Sequence, residues 1–387
     1  MPPPPPPPHP PAPRYPLLDL LRLVAIGDIV AIHVTGQYLI AGLGLPIFIV
    51  TAIALAFRKP ALPAPGPMLI HRGRRVLLPW LVWSAFYGGG YALVAAAGHD
   101  VTLGQLFNGW MLLAGPSVHL WFLPFIVVAE LAALGLLRAS ARLPRAVIIS
   151  AALLLGVAAT GLTAEVYQRM AASAPALDHA ETVTDPPWRI DAAAFGHTVM
   201  KSWLFGLAGV GFGVAVGRSL SLPGPGVTRW VMLPLATMGC VLGWTLTSGA
   251  GAWAAWSGEW PWQWWRQSGA LVLVLLALQI TTRPRHSEQL PRDSADARAI
   301  STPSNPVSQT SAAGRWLRGA GTLTMGIYLL HPWVHARLRD HLLPRLPDSW
   351  IGIDVDGTRP LTYALLVWTL TAALVLLLRQ TPLRRVL

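Results

Sequence analysis

Arg22 and His33 lie eleven residues apart in the stretch LLDLLRLVAIGDIVAIHVTGQY, Leu17–Tyr38. At ~3.6 residues per turn that is close to three turns, so on one helix both point the same way, roughly 16 Å apart along the axis. One face would then carry a cation near one end and, deeper in, an imidazole able to take or give a proton near neutral pH. Asp19 and Asp28 sit in the same stretch. At ~100° per residue Asp28 is about 140° around the helix from His33, so an orienting partner for His33 must come from another segment. Ionisable groups in so apolar a stretch are costly and usually have a task. A histidine satisfied inside a helix bundle remains the plain alternative.

A second group is His71-Arg72-Gly73-Arg74-Arg75, followed by Pro79-Trp80. Arg72 and Arg75 are three apart, which places them on one face of a helix. Guanidinium forks suit phosphate, and a helix N-terminus would add free N–H groups. This predicts a site for a phosphorylated cytoplasmic ligand, against ordinary orienting charge. The third group, Ser117-Val-His119-Leu-Trp121-Phe122-Leu-Pro124, opens an apolar segment, with His119 and Trp121 expected in the aromatic belt at the outer interface. Glu130 lies deeper in that segment and wants a partner, which Arg22 or His33 could supply. The fourth is Gly321-Thr-Leu-Thr-Met-Gly326-Ile-Tyr328-Leu-Leu-His331-Pro332. Tyr328 and His331 share a face there, unless the proline only marks a capped, kinked helix end. Six tryptophans between Trp253 and Trp265 fit a membrane interface or a sugar-stacking surface.

The elements that must position these groups are membrane helices. Of 387 residues 53% are hydrophobic and only 12% charged, with mean hydropathy +0.49. Soluble domains carry about 25% charged residues. The expected fold class is all-α: a polytopic membrane bundle of about ten transmembrane helices. These fall near 17–37, 39–57, 76–97, 119–137, 146–162, 198–217, 228–248, 267–282, 320–336 and 361–378, with the first two forming a tight hairpin. A cytoplasmic N-terminus puts most of the 29 basic residues inside, leaving Arg169, Arg189, Lys201, Arg266, Arg337, Arg339, Arg345 and Arg359 outside. The expected topology is N-in and C-in. The net charge of +12 is therefore read as orientation and not as a nucleic-acid footprint. Residues 1–16 read as a disordered proline-rich cytoplasmic start, with no signal peptide. Residues 17–380 form the transmembrane domain, with a disordered cytoplasmic loop at 283–318, and 381–387 a cytoplasmic tail. The outer loop Thr163–His197 is long and acidic and could cap a site. No internal repeat and no transporter-like pair of broken spans is visible. A single cysteine, Cys240, excludes an internal disulfide, and no metal site is expected.

Together the four groups resemble the integral-membrane acyltransferase family 3, whose members modify surface and envelope glycans. That family opens with a pattern close to L-D-x-L-R-x-x-A-x-x-x-V-x-x-x-H, and here LDLLRLVAIGDIVAIH keeps Asp19, Arg22 and His33. Its R-x-x-R pattern matches Arg72 to Arg75, and the stretches His119–Leu123 and Ile327–Pro332 also correspond. One departure stands at Phe48-Ile-Val-Thr51-Ala52, where the family usually has F-x-x-S-G: the hydroxyl is kept and the glycine is lost. The resemblance implies transfer of an acyl group, often acetyl, from cytoplasmic acyl-CoA to a sugar hydroxyl. Arg72, Arg74 and Arg75 would hold the coenzyme's phosphates. Arg22 and Asp19 would belong to the catalytic part of the site. His33 would be the general base for the acceptor, or briefly carry the acyl group. Further candidates are Glu130, His119, Trp121, Tyr328 and His331. The implied partners are the bilayer of the cell inner membrane and a glycan or glycolipid acceptor. Two other readings remain: a flippase of glycan precursors with His33 and Glu130 as a proton relay, and a scaffold subunit that would tolerate loss of His33.

Overall fold

The computed structural model describes residues 15–36, 38–98, 109–173, 192–221, 232–248, 260–282, 312–342, 345, 360–385 and 387. Among them there is helix and no strand. The helices are α1 (Pro16–Thr35), α2 (Gly44–Phe57), α3 (Pro65–Ala96), α4 (Phe122–Ala139), α5 (Arg145–Ser173) and α6 (Ala192–Leu220), then α7 (Leu233–Ser248), α8 (Trp260–Thr282), α9 (Ala312–Arg337) and α10 (Pro360–Leu378). A one-turn 3₁₀ helix, Val118–Trp121, leads into α4. Among the described residues, five helical segments are long and apolar enough to cross a membrane: Pro65–Ala96, His119–Ala139, Arg145–Arg169, Thr198–Leu220 and Leu361–Leu378. Large apolar side chains on their outer surfaces stay open, among them Leu93 at 73% and Leu154 at 67% exposure. Faces that apolar suit lipid and not water.

Helix α1 sits at the centre. Pro16 opens it, where a missing N–H costs nothing. Gly36 closes it in the left-handed region at φ 70°, its N–H returning to the Ile32 carbonyl. Its buried positions run all round the cylinder, including Leu23, Ala25, Ile26, Ile29 and Val30, because α2, α8, α9 and α10 all pack on it. Asp28, fully buried, accepts the backbone N–H of Ile40 at 2.7 Å and of Gly44 at 2.9 Å. Gly44 is the first residue of α2, so one carboxylate caps the second helix and fastens the hairpin turn. Asp28 thus has a structural task. Gly44 is required there: a Cβ would collide with the Ala25 carbonyl.

Helix α6 lets its neighbours come close. Gly209, Gly213 and Gly217 form a stripe every fourth residue against α2. A Cβ on them would lie 2.8 Å from Ile49 Cγ2, 2.6 Å from Ile53 Cβ and 2.7 Å from the Ala54 carbonyl. Gly211 faces the other way, onto the backbone of α5 at Gly156. Small residues at such crossings give the packing that holds membrane helices together. The connection from α2 to α3 is tied down by arginines: Arg218 Nη1 donates to the Lys59 carbonyl at 3.1 Å and Arg138 Nη2 to the Pro63 carbonyl at 2.9 Å.

Several expectations change. The third helix begins at Pro65, so Arg72 and Arg75 lie well inside it and no free N–H groups surround them. At Gly73–Leu77 the helix widens into a π turn. The acidic outer loop shortens, since α5 runs to Ser173 and α6 begins at Ala192. Its centre, most of the proline-rich start, most of 283–318, and Trp253 and Trp256 lie outside the described residues.

Candidate active site

Three histidines from three distant segments meet beside α1. His33 of α1 lies edge to face with His331 of α9, ring centroids 5.3 Å apart, and 6.5 Å from His119 of the 3₁₀ turn. His119 and His331 are 5.8 Å apart. His119 and His331 are buried while His33 stays partly exposed. Ser117 Oγ is 2.7 Å from His119 Nδ1. Tyr328 donates its hydroxyl proton to the His119 carbonyl. Tyr87 of α3 donates to the Leu329 carbonyl at 2.8 Å, and its ring packs 5.0 Å from His119. The 3₁₀ turn is thereby pinned between α3 and α9, which sets its histidine against His33.

Sequence reasoning placed His119 and Trp121 at the outer interface; in the structure both side chains are buried among other helices. Trp121 packs on Phe122 and Phe125 inside the bundle. Nor do Tyr328 and His331 mark a helix end, because α9 continues past Pro332 to Arg337 and into a wide turn at Leu338–Leu342.

The arginines gather toward the other end of α1. Arg22 is 3.9 Å from Asp19 and stacks over Phe48, 5.7 Å from the ring centre. Its charge is near enough to that of Arg72 for the two to repel. Arg72 forms a bidentate pair with Glu130, Nε to one carboxylate oxygen and Nη2 to the other. The Glu130 side chain is 1% exposed and that of Arg72 26%. Glu130 therefore takes its partner from α3, not from Arg22 or His33. The likeness of Arg72 and Arg75 also breaks: Arg72 turns inward to the carboxylate, while Arg74 and Arg75 are exposed. The π turn that follows Arg72 and contains Arg74 and Arg75 widens the helix at a place where such turns often serve function. Nε and Nη2 of Arg72 are committed to Glu130, and Nη1 lies outside that pair.

An aromatic file joins the two ends. Phe48 lies 6.3 Å from Phe122, and Phe122 lies 5.9 Å from Tyr328. No spacing in the sequence announced Tyr87 or this file, because Phe and Tyr in an apolar span look like any packing residue. Among the described tryptophans, Trp262 shares Arg266 with Tyr38: the guanidinium sits 4.6 Å from each ring centre. No group of three metal-ligating side chains able to hold an ion occurs among the described residues.

The described helices thus hold an imidazole cluster at one end of the central helix α1 and arginines toward the other. The family model for the acyltransferase domain, acyltransferase family 3, matches residues 15–379. The match covers nearly the whole chain, and the chain belongs to this family. No curated protein and no solved structure matches it.

Proposed function

We propose that the protein moves an acyl group, acetyl in the first instance, from cytoplasmic acyl-CoA to a hydroxyl of an envelope or exported glycan. In this reading about ten helices cross the inner membrane with both termini in the cytoplasm. Arg74, Arg75 and the free Nη1 of Arg72 receive the phosphates of coenzyme A, with Arg22 and Asp19 behind them. The thioester reaches along the aromatic file. His33 removes the proton of the acceptor hydroxyl; the oxygen attacks the thioester carbonyl; the C–S bond breaks, and the coenzyme leaves as a thiol carrying the proton from His33. An ester and free coenzyme A are the products, and the atoms balance without a metal. Direct attack suffices, so no acyl-histidine stage is required.

The observation that carries this reading is the grouping of a partly exposed His33 with two buried imidazoles at one end of the helix that bears Arg22 toward the other, in a chain of this family. The flippase alternative loses its relay, since Glu130 is engaged by Arg72.

The test is transfer of labelled acetyl from acetyl-CoA in vesicles holding the protein and an envelope glycan extract. Wild type, His33→Ala and Arg72→Ala/Arg75→Ala are run together. Label is expected in glycan with wild type, reduced by about 10²–10⁴ in His33→Ala. Full activity in His33→Ala would sink the proposed role of that residue.

A further inference from the structure

The dipeptide His331-Pro332 lies inside α9, not at its end. Proline has no N–H, so the helical bond from residue 332 back to the carbonyl of Tyr328 cannot form. That carbonyl is taken up instead by the neighbouring side chain: His331 Nδ1 is 2.9 Å from the Tyr328 oxygen, and 3.2 Å from that of Ile327. Carbonyl oxygens only accept, so Nδ1 is the nitrogen that donates. In the neutral ring this leaves Nε2 as a lone pair. His331 is fully buried, and its Nε2 has no hydrogen-bond partner among the described residues. The ring nearest to it is that of His33, at 5.3 Å between centroids and almost perpendicular. The structure holds no hydrogen bond between the two rings, but two imidazoles joined N–H to N have centroids about 5 Å apart, so at 5.3 Å a rotation of the His33 ring is what such a bond would need. The other groups facing His331 are His119, 5.8 Å away, and Tyr328, whose hydroxyl is already committed to the His119 carbonyl.

We infer that His331 is a positioning residue for His33: its Nε2, left bare by the His-Pro turn, accepts one N–H of the His33 ring and so fixes which nitrogen of His33 keeps the lone pair. The inference rests on the transferase reading for its purpose. The orienting group for His33 comes from α9, and it is a second imidazole and not a carboxylate. When His33 takes a proton from the acceptor hydroxyl, the bond to His331 persists and the other N–H is aimed at the leaving sulfur. Pro332 serves chemistry in this scheme by releasing the carbonyl that sets the tautomer of the residue before it.

The tautomers can be read directly. The full-length protein, labelled with ¹⁵N-histidine and embedded in lipid nanodiscs, is examined by NMR, with the two signals identified from His331→Gln and His33→Gln spectra. Wild type is expected to show His331 protonated on Nδ1 alone and His33 in one tautomer. His331→Ala should turn His33 into a mixture. His331→Gln should restore the single form, since its Oε1 stands where Nε2 accepts. Pro332→Ala gives position 332 an N–H that competes for the Tyr328 carbonyl, and should mix the tautomers of His331 itself. In turnover, His331→Ala should lower kcat by about 10²-fold with the KM for acetyl-CoA unchanged, and His331→Gln should recover most of it. A proton on Nε2 of His331 in wild type, or an unchanged His33 spectrum in His331→Ala, would overturn the inference. The spectra need no turnover. A protein with these tautomers that acylates nothing would therefore retire the proposed function and leave the His331–His33 pairing standing.

Discussion

Deleting the two partners of the Arg72–Glu130 pair should cost unequal amounts. The Glu130 side chain is 1% exposed and Arg72 26%. Arg72→Ala therefore strands a carboxylate away from water and from any cation, the situation in which losing one buried partner costs about 3–5 kcal/mol. Glu130→Ala strands a guanidinium that still has an open side, so its loss is closer to that of the charge-assisted hydrogen bonds themselves, about 1.5–3 kcal/mol. Arg72→Ala/Glu130→Ala removes both charges and should recover a large part of either loss. The assay is thermal unfolding of the purified protein in one fixed detergent, run as a double-mutant cycle. A coupling of about 2 kcal/mol or more is expected, with Arg72→Ala the worse single variant. Additive losses, or Glu130→Ala as the worse variant, would refute the reading of Arg72–Glu130 as a buried, strongly coupled pair. Donor affinity gives a second readout, because in the proposed function Glu130 orients the arginine whose Nη1 receives phosphate. Glu130→Gln should raise the KM for acetyl-CoA more than it lowers kcat.

Asp28→Ala should destabilise the protein by about 3 kcal/mol, since two backbone N–H groups at the α1–α2 turn lose their acceptor; unchanged melting would show that the cap is dispensable. Gly213→Leu should block the approach of α2 to α6 and lower folded yield sharply, measured by size-exclusion profile, whereas Gly135→Leu, where a Cβ would meet nothing, should be tolerated. Tyr328→Phe removes the hydroxyl that fastens the 3₁₀ turn to α9. It should reduce transfer about tenfold while the protein still folds, and transfer at the wild-type rate would argue against the turn's positioning role.

Much was legible from residue order alone. The apolar runs dictated helices, because a backbone in lipid must satisfy its own hydrogen bonds. The Arg22–His33 spacing defined one face of α1, and His331 beside Tyr328 was visible as a pair at helical spacing. What those side chains touch depended on contacts between segments far apart in the chain. Glu130 binds Arg72, 58 positions away; Asp28 caps a helix it does not belong to; and His119, expected at an interface, is buried against Tyr87, Tyr328 and His331. Local period cannot reveal such pairings. A buried charge takes whichever partner the packing brings within reach, and the packing follows from where glycines such as Gly209, Gly213 and Gly217 let backbones close together. The residue types in the site were thus determined by the sequence, while their partners, and hence their chemistry, were decided only when the helices were assembled.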